Sequence, residues 1–182
     1  MENVSAGTQW WRIHRKIHGP LFFGPPTGTP PAARFDAPDG SFAVCYLGAS
    51  VEASFAETFL HGPVRDLILA HSDLAQKALS RIENTQTLRL VRLHGPGLVR
   101  MTATSAVAGG SYSVSRPWAL AIHMHPDEPD GILYRSRHDD DLLCAAVYDR
   151  ARTKLMLKQT YSLAEDVLLL ERLAERYEFS IV

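Results

Sequence analysis

The stretch from Ala33 to Leu60 limits the possible folds of this chain more than any other segment. It opens with Ala33-Arg34-Phe35, turns through Asp36-Ala37-Pro38-Asp39-Gly40, and continues as the apolar run Phe42 to Leu47. An Asp-Gly step between two such pieces signals a hairpin or tight bend. The run Phe42-Ala43-Val44-Cys45-Tyr46-Leu47 is apolar at both alternating sets of positions, the pattern of a strand covered on both faces. Ser50 then stands where a helix N-cap belongs, with Glu52 in the first turn, where negative charge is favoured. On that helix Val51, Phe55 and Phe59 recur every four residues and form the packing stripe. Glu57 lies off the stripe beside Ala53, Ala56 and Leu60, whose positions leave room around a carboxylate. An arginine, a tyrosine and a glutamate therefore sit close together on rigid elements.

At 182 residues the expectation is one domain over 1–182, large enough to bury a proper core. No apolar run approaches the ~20 residues that a membrane-spanning helix requires, and Met1 to Ser5 carries no signal-peptide pattern. Cys45 and Cys144 fall inside apolar, strand-like runs, which favours buried reduced thiols over a disulfide and fits a cytoplasmic protein. A net charge of −1 argues against a general binder of nucleic acid or membrane surfaces. The basic residues are fifteen arginines and four lysines. Arginine forks suit phosphates and carboxylates, but high genomic GC content produces the same bias.

Along the chain, Trp10–Arg15 reads as a strand and Gly19–Pro31 as an irregular Gly/Pro-rich loop. After Gly62-Pro63, helical patterns cover Val64–Ala70 and Ser72–Ile82. Thr87–Leu93 alternates as a strand, ended by Gly95-Pro96-Gly97. Gly109-Gly110-Ser111 precedes a helix over Val114–His123, with Pro117 in its first turn. A turn at Pro126–Gly131 leads to a strand at Ile132–Ser136 and a charged loop at Arg137–Asp141. Leu142–Tyr148 and Lys154–Gln159 read as strands. Leu163–Tyr177 is an amphipathic helix with Val167, Leu170, Leu173 and Ala174 inward, and Phe179–Val182 adds a last strand. The sum is an α+β chain in which strands outnumber helices.

Five short pieces, in this order and spacing, resemble the RES domain family, named for an Arg, a Glu and a Ser in chain order. They are Trp11-Arg12; Ala33-Arg34-Phe35; Tyr46-Leu47 leading to Ala53-Ser54-Phe55-Ala56-Glu57; Arg116-Pro117-Trp118-Ala119; and Asp130 through Arg137. The resemblance spans about residues 10 to 150. It implies an ADP-ribosyltransferase-like fold, with mixed, mainly antiparallel twisted sheets and flanking helices, around a cleft that takes NAD. It also implies the toxin half of a toxin–antitoxin pair that depletes NAD by breaking the nicotinamide–ribose bond. NAD is then substrate rather than cofactor, with inorganic phosphate as a further co-substrate in some members. The implied partner is an Xre-like antitoxin over the cleft, with a homodimer within the complex as a further expectation.

That chemistry suits these residues. Nicotinamide leaves NAD neutral, so no acid is needed, and the charge to be stabilised is an oxocarbenium-like ribose. A carboxylate near the ribose does this electrostatically, and Glu57 is the candidate. Arg34 would grip the diphosphate or a ribose with its planar fork. Tyr46 offers a ring and a hydroxyl at the nicotinamide end. Ser136 would hydrogen-bond nicotinamide or ribose, since no His–Asp pair is evident to make it a nucleophile. Arg137 is a further phosphate candidate, Tyr134 a packing residue and Trp118 core. Where a tyrosine is expected beside the first arginine, Phe35 lacks the hydroxyl. Read without the resemblance, Glu57 is a surface helix residue, Arg34 a strand-edge charge, Tyr46 a core aromatic and Ser136 a loop serine.

Three other readings compete. The same pocket could pass ADP-ribose to a protein side chain. His123, His125 and Asp139-Asp140-Asp141 could serve a metal hydrolase, but i and i+2 diverge at a helix end and acidic runs are usually solvated, so no metal is assigned. A non-catalytic binding module is the third.

Overall fold

The computed structural model describes residues 1–26, 28–61 and 67–182. Among these, ten strands and six helices follow the order β1 (Glu2–Val4), β2 (Gln9–Arg15), β3 (Val44–Gly48), α1 (Val51–Phe59), β4 (Ile68–Leu69), α2 (His71–Ala75), β5 (Lys77–Asn84), β6 (Leu88–Leu93), α3 (Pro96–Arg100), α4 (Ala106–Gly109), α5 (Tyr112–His123), β7 (Gly131–Arg135), β8 (Leu143–Tyr148), β9 (Leu155–Ser162), α6 (Val167–Tyr177) and β10 (Ser180–Ile181). A 3-10 turn over Asp149–Lys154 joins β8 to β9. Eight strands form one sheet in the order β1-β6-β7-β8-β3-β2-β5-β9. Its pairs are antiparallel except β6 with β7. β10 and β4 make a separate parallel pair. The fold is α+β, with a mixed, mainly antiparallel sheet and flanking helices.

Period-two alternation divides the sheet's two faces. On β3, Val44 packs with Ile132, Tyr134, Ala146 and Tyr148 against Ala119 and Ile122 of α5. Its neighbours Cys45 and Leu47 point the other way, into a core with Trp10, Ile82, Leu90, Leu133 and Val147. Coverage of both faces explains why β3 and β8 read as continuous apolar runs. A third cluster sets Val51 and Phe55 of α1 and Leu170 and Leu173 of α6 against Ile13 and Leu79. Cys45 and Cys144 are buried free thiols, as expected. Among the described residues no helix is long and apolar enough to cross a membrane.

Strands β2, β3, β6, β7, β8 and β9 and helices α1, α5 and α6 match their expected segments to within a few residues. The departures have physical causes. Ala33–Phe35 is not a strand, so there is no hairpin. The Asp36 carboxylate takes the Ala32 and Ala33 N–H groups at 2.9 and 2.6 Å, giving this backbone a side-chain partner in place of a ladder. The expected helix over Ser72–Ile82 shrinks to α2 followed by β5. Ala78, Leu79, Ser80, Ile82 and Asn84 are buried because this segment pairs with both β2 and β9, and tertiary pairing overrides a weak helical pattern.

Gly62-Pro63 and the start of the expected Val64–Ala70 helix lie outside the described residues, and Ile68–Leu69 form a strand. Pro117 lies inside α5 rather than in its first turn, because the Ser111 cap starts the helix at Tyr112. In α6, Val167 is 59% exposed and Leu169 is buried in its stead. Asp166 caps the Leu169 N–H at 3.1 Å, and this fixes the helix start and its phase. β1, α3 and α4 had no clear signal in the sequence.

Candidate active site

Helix α1 starts sharply because the Ser50 hydroxyl accepts from the Ala53 N–H at 3.1 Å. Gly48, at the end of β3, lets the helix press onto the sheet. A Cβ at this position would stand 2.6 Å from Ser54 N and 2.8 Å from Ser50 O. The Ser54 hydroxyl of α1 accepts from the Ile13 N–H of β2 at 2.6 Å, pinning the helix to the strand. With its axis fixed, α1 buries Val51 and Phe55 and turns Glu57 toward the end of β7.

Glu57 there meets two donors. Ser136 Oγ, buried just past β7, donates to Oε1 at 2.7 Å. Tyr134 OH approaches Oε2 at 3.4 Å. The Ser136 hydroxyl in turn accepts from the His138 N–H at 3.1 Å, which sets its direction. Burial, then the Glu57 charge, raises the Tyr134 phenol well above its usual range, so it stays protonated and a donor.

Arg34 and Glu57 line one cavity. Arg34 is buried to 7% exposure, and its Nη1 donates to Gly110 O at 2.5 Å and Ser115 Oγ at 3.1 Å. Its guanidinium lies 4.9 Å from the centre of the Tyr112 ring, and Arg116 lies 5.0 Å from that ring. Nη2 is buried with no partner among the described residues. Burial lowers the Arg34 pKa from its ordinary value, while Tyr112 and Glu57 pull it back up. An arginine nonetheless stays charged at neutral pH.

Tyr46 supplies ring surface, but its hydroxyl is committed. It donates to Asp36 Oδ1 and accepts from the Phe35 N–H, each at 2.9 Å. Burial and Asp36 push its pKa well above normal, keeping the phenol neutral. The hydroxyl therefore braces the 32–36 turn that carries Arg34. Phe35 is wholly buried and packs edge-on to Tyr134 at 4.9 Å, so the absent hydroxyl is replaced by an apolar contact.

These residues line a cavity of about 660 Å³ that also includes His61, Tyr112, Arg137 and His138. Arg34, Tyr46, Glu57 and Arg137 face it, and Ser136 acts from behind Glu57. Its size suits a ligand of several rings. Asp36, Tyr112 and His138 were not among the residues selected from sequence, and Tyr134 contributes a hydroxyl as well as packing. The available signal for Asp36 was its place at the start of the Asp36–Gly40 turn, where aspartate is a common turn residue that bonds nearby backbone.

The remaining candidates lie elsewhere. His123 stacks on Phe42 at 4.2 Å and pairs with Arg150, His125 is exposed, and Asp139 bonds Arg176 and Tyr177 of α6. Among the described residues no group of three or more His, Cys, Asp or Glu side chains is placed to hold a metal ion. Trp118 is partly buried against the α5 core. Arg12 does border the cavity, but its Nη1 donates to Pro20 O, Phe22 O and Cys45 Sγ, clamping the Gly/Pro-rich loop.

The α+β fold thus brings a buried arginine and a tethered glutamate to the walls of one cavity. The RES domain family model matches residues 9–167, and the chain belongs to that family. It is 32% identical over 90 residues to "Probable toxin y4kH" of Sinorhizobium fredii, a match covering 49% of this chain and 70% of that protein. Its fold is similar to a chain in the crystal structure of the M. tuberculosis MbcT–MbcA toxin–antitoxin complex. The TM-score is 0.71 at 18% identity, over 95% of this chain and 92% of that one.

Proposed function

We propose that this protein is the toxin of a toxin–antitoxin pair and acts by cleaving the nicotinamide–ribose bond of NAD. Family membership and the toxin named among its relatives support the first part. The observation that carries the second is Glu57, a carboxylate held by Ser136 and Tyr134 on the wall of a cavity that a buried arginine also lines. In this reading Arg34 binds diphosphate or ribose oxygens through its unpartnered Nη2, and Arg137 adds charge at the mouth. The Tyr46 ring and the Ser136–Glu57 pair orient the nicotinamide end. As the C1′–N bond breaks, its electron pair neutralises the pyridinium nitrogen and positive charge grows on the ribose facing Glu57. A fixed negative charge stabilises that state more than the ground state.

An Xre-like antitoxin seated over the cavity mouth would keep the host's NAD intact. The test is chromatography of NAD incubated with the purified chain, with and without inorganic phosphate. ADP-ribose marks hydrolysis and ADP-ribose 1″-phosphate marks phosphorolysis. Labelled protein in a lysate would mark transfer to a side chain. NAD left intact in every arm refutes the reading.

A further inference from the structure

Hydrolysis of NAD leaves one proton to be placed. Water attacks C1′, the C1′–N bond breaks toward nicotinamide, and the attacking oxygen must shed a proton as the new C–O bond forms. Nicotinamide does not take it, since it departs neutral. Glu57 is needed as an anion: its oxygens already take donors, Ser136 at 2.7 Å and Tyr134 at 3.4 Å, and a proton placed on it would remove the charge that stabilises the ribosyl cation. Two imidazoles line the same cavity. His138 follows Ser136 by two residues, and its backbone N–H fixes the Ser136 hydroxyl. Its half-buried ring meets the ring of His61, just beyond α1, edge to face at 5.1 Å. Its side chain makes no hydrogen bond among the described residues.

We propose that His138 is the general base of the hydrolytic reaction, taking the proton of the attacking water while Glu57 stabilises the ribosyl cation. This rests on the NAD-cleaving reading above. The groups facing His138 are Glu57 and His61 of α1 and its end, Arg137 of its own loop, and Arg34, which lines the same cavity. Burial lowers its pKa from the usual histidine value. Glu57 works against this, and His61, Arg137 and Arg34 add to it. The ring is therefore unprotonated at neutral pH and able to accept. After the step the imidazolium sits opposite Glu57 and releases its proton through the cavity mouth.

The experiment measures nicotinamide release by the full chain, made by cell-free synthesis, across pH 4.5 to 8.5. Wild-type kcat/KM, which reports groups of the free enzyme, should rise to a plateau through one inflection below pH 6.5. His138→Gln should lose that inflection and fall about 10²- to 10⁴-fold, with KM for NAD little changed. Sodium azide, an anion with no proton to lose, should restore turnover in His138→Gln and yield ADP-ribosyl azide. His61→Gln, which keeps the base, should move the inflection to higher pH because a neighbour that lowers the pKa is gone. If His138→Gln does not fold, the shift in His61→Gln decides. A wild-type profile in His138→Gln, a deficit that azide leaves in place, or an unmoved inflection in a folded His61→Gln overturns the proposal. Nicotinamide release that requires added inorganic phosphate also overturns the proposal, whereas wild-type protein that releases no nicotinamide with or without phosphate refutes the NAD-cleaving function itself, which keeps the failures distinct.

Discussion

Replacing Tyr46 with Phe removes a single oxygen, and that oxygen serves two buried groups. It donates to Asp36 Oδ1 and accepts from the Phe35 N–H, each at 2.9 Å. The first bond is charge-assisted, worth about 1.5–3 kcal/mol, and the second leaves a buried amide unsatisfied at a cost of about 1–3 kcal/mol. Asp36 retains the Ala32 and Ala33 N–H groups, so the lower half of that combined range applies, about 3 kcal/mol. For a chain of 182 residues this lowers the melting temperature by about 6 to 12 °C. The same turn carries Arg34, so its loosening should cost about ten- to a hundredfold in kcat/KM for NAD, as small misplacements of binding groups do. Thermal melts and nicotinamide-release kinetics on the two proteins read both effects. A melt within 2 °C of wild type together with unchanged kcat/KM would refute the bracing role of Tyr46.

Other perturbations separate the remaining roles. Glu57→Gln keeps the shape and an acceptor for Ser136 but removes the charge. kcat should fall about 10²–10³-fold with little change in melting, while a fall under threefold would remove Glu57 from the chemistry. Arg34→Lys puts one nitrogen in the place of Nη1, which serves Gly110 O and Ser115 Oγ, and leaves nothing in the place of the unpartnered Nη2, so KM for NAD should rise at least about tenfold. Gly48→Ala should destabilise by about 1–3 kcal/mol, because its Cβ would meet the backbone of α1, and a denaturant titration measures this. His14 is buried against Ser80, and burial holds its pKa below the usual value. The unfolded chain then binds more protons than the folded one. Stability from His14 is complete above pH 6.5 and declines as pH falls toward the lowered folded value. A His14→Gln variant should show a flatter melting profile between pH 7 and 5.

The α1 helix, its Ser50 cap and the buried character of β3 and β8 were legible because local signals and final environment agree. Val51 and Phe55 carry the helical stripe, and a run apolar at every position requires cover on both faces. β5 was not legible. Its residues suit a weak helix until β2 and β9 flank them, and that pairing is made by segments more than sixty residues apart in sequence.

Residue types and local elements could be read from the chain alone: an arginine beside a turn, a carboxylate off the packed face of a short helix, and a serine at a strand end. Their use was set by packing in three dimensions. That packing gave the Tyr46 hydroxyl to Asp36 and Phe35, aimed the Ser136 hydroxyl at Glu57, and brought His61 and His138 ring to ring. The reason is that hydrogen bonds and ring contacts depend on position to within a fraction of an ångström. Hydrophobic periodicity fixes which way a residue faces but leaves open what it will meet.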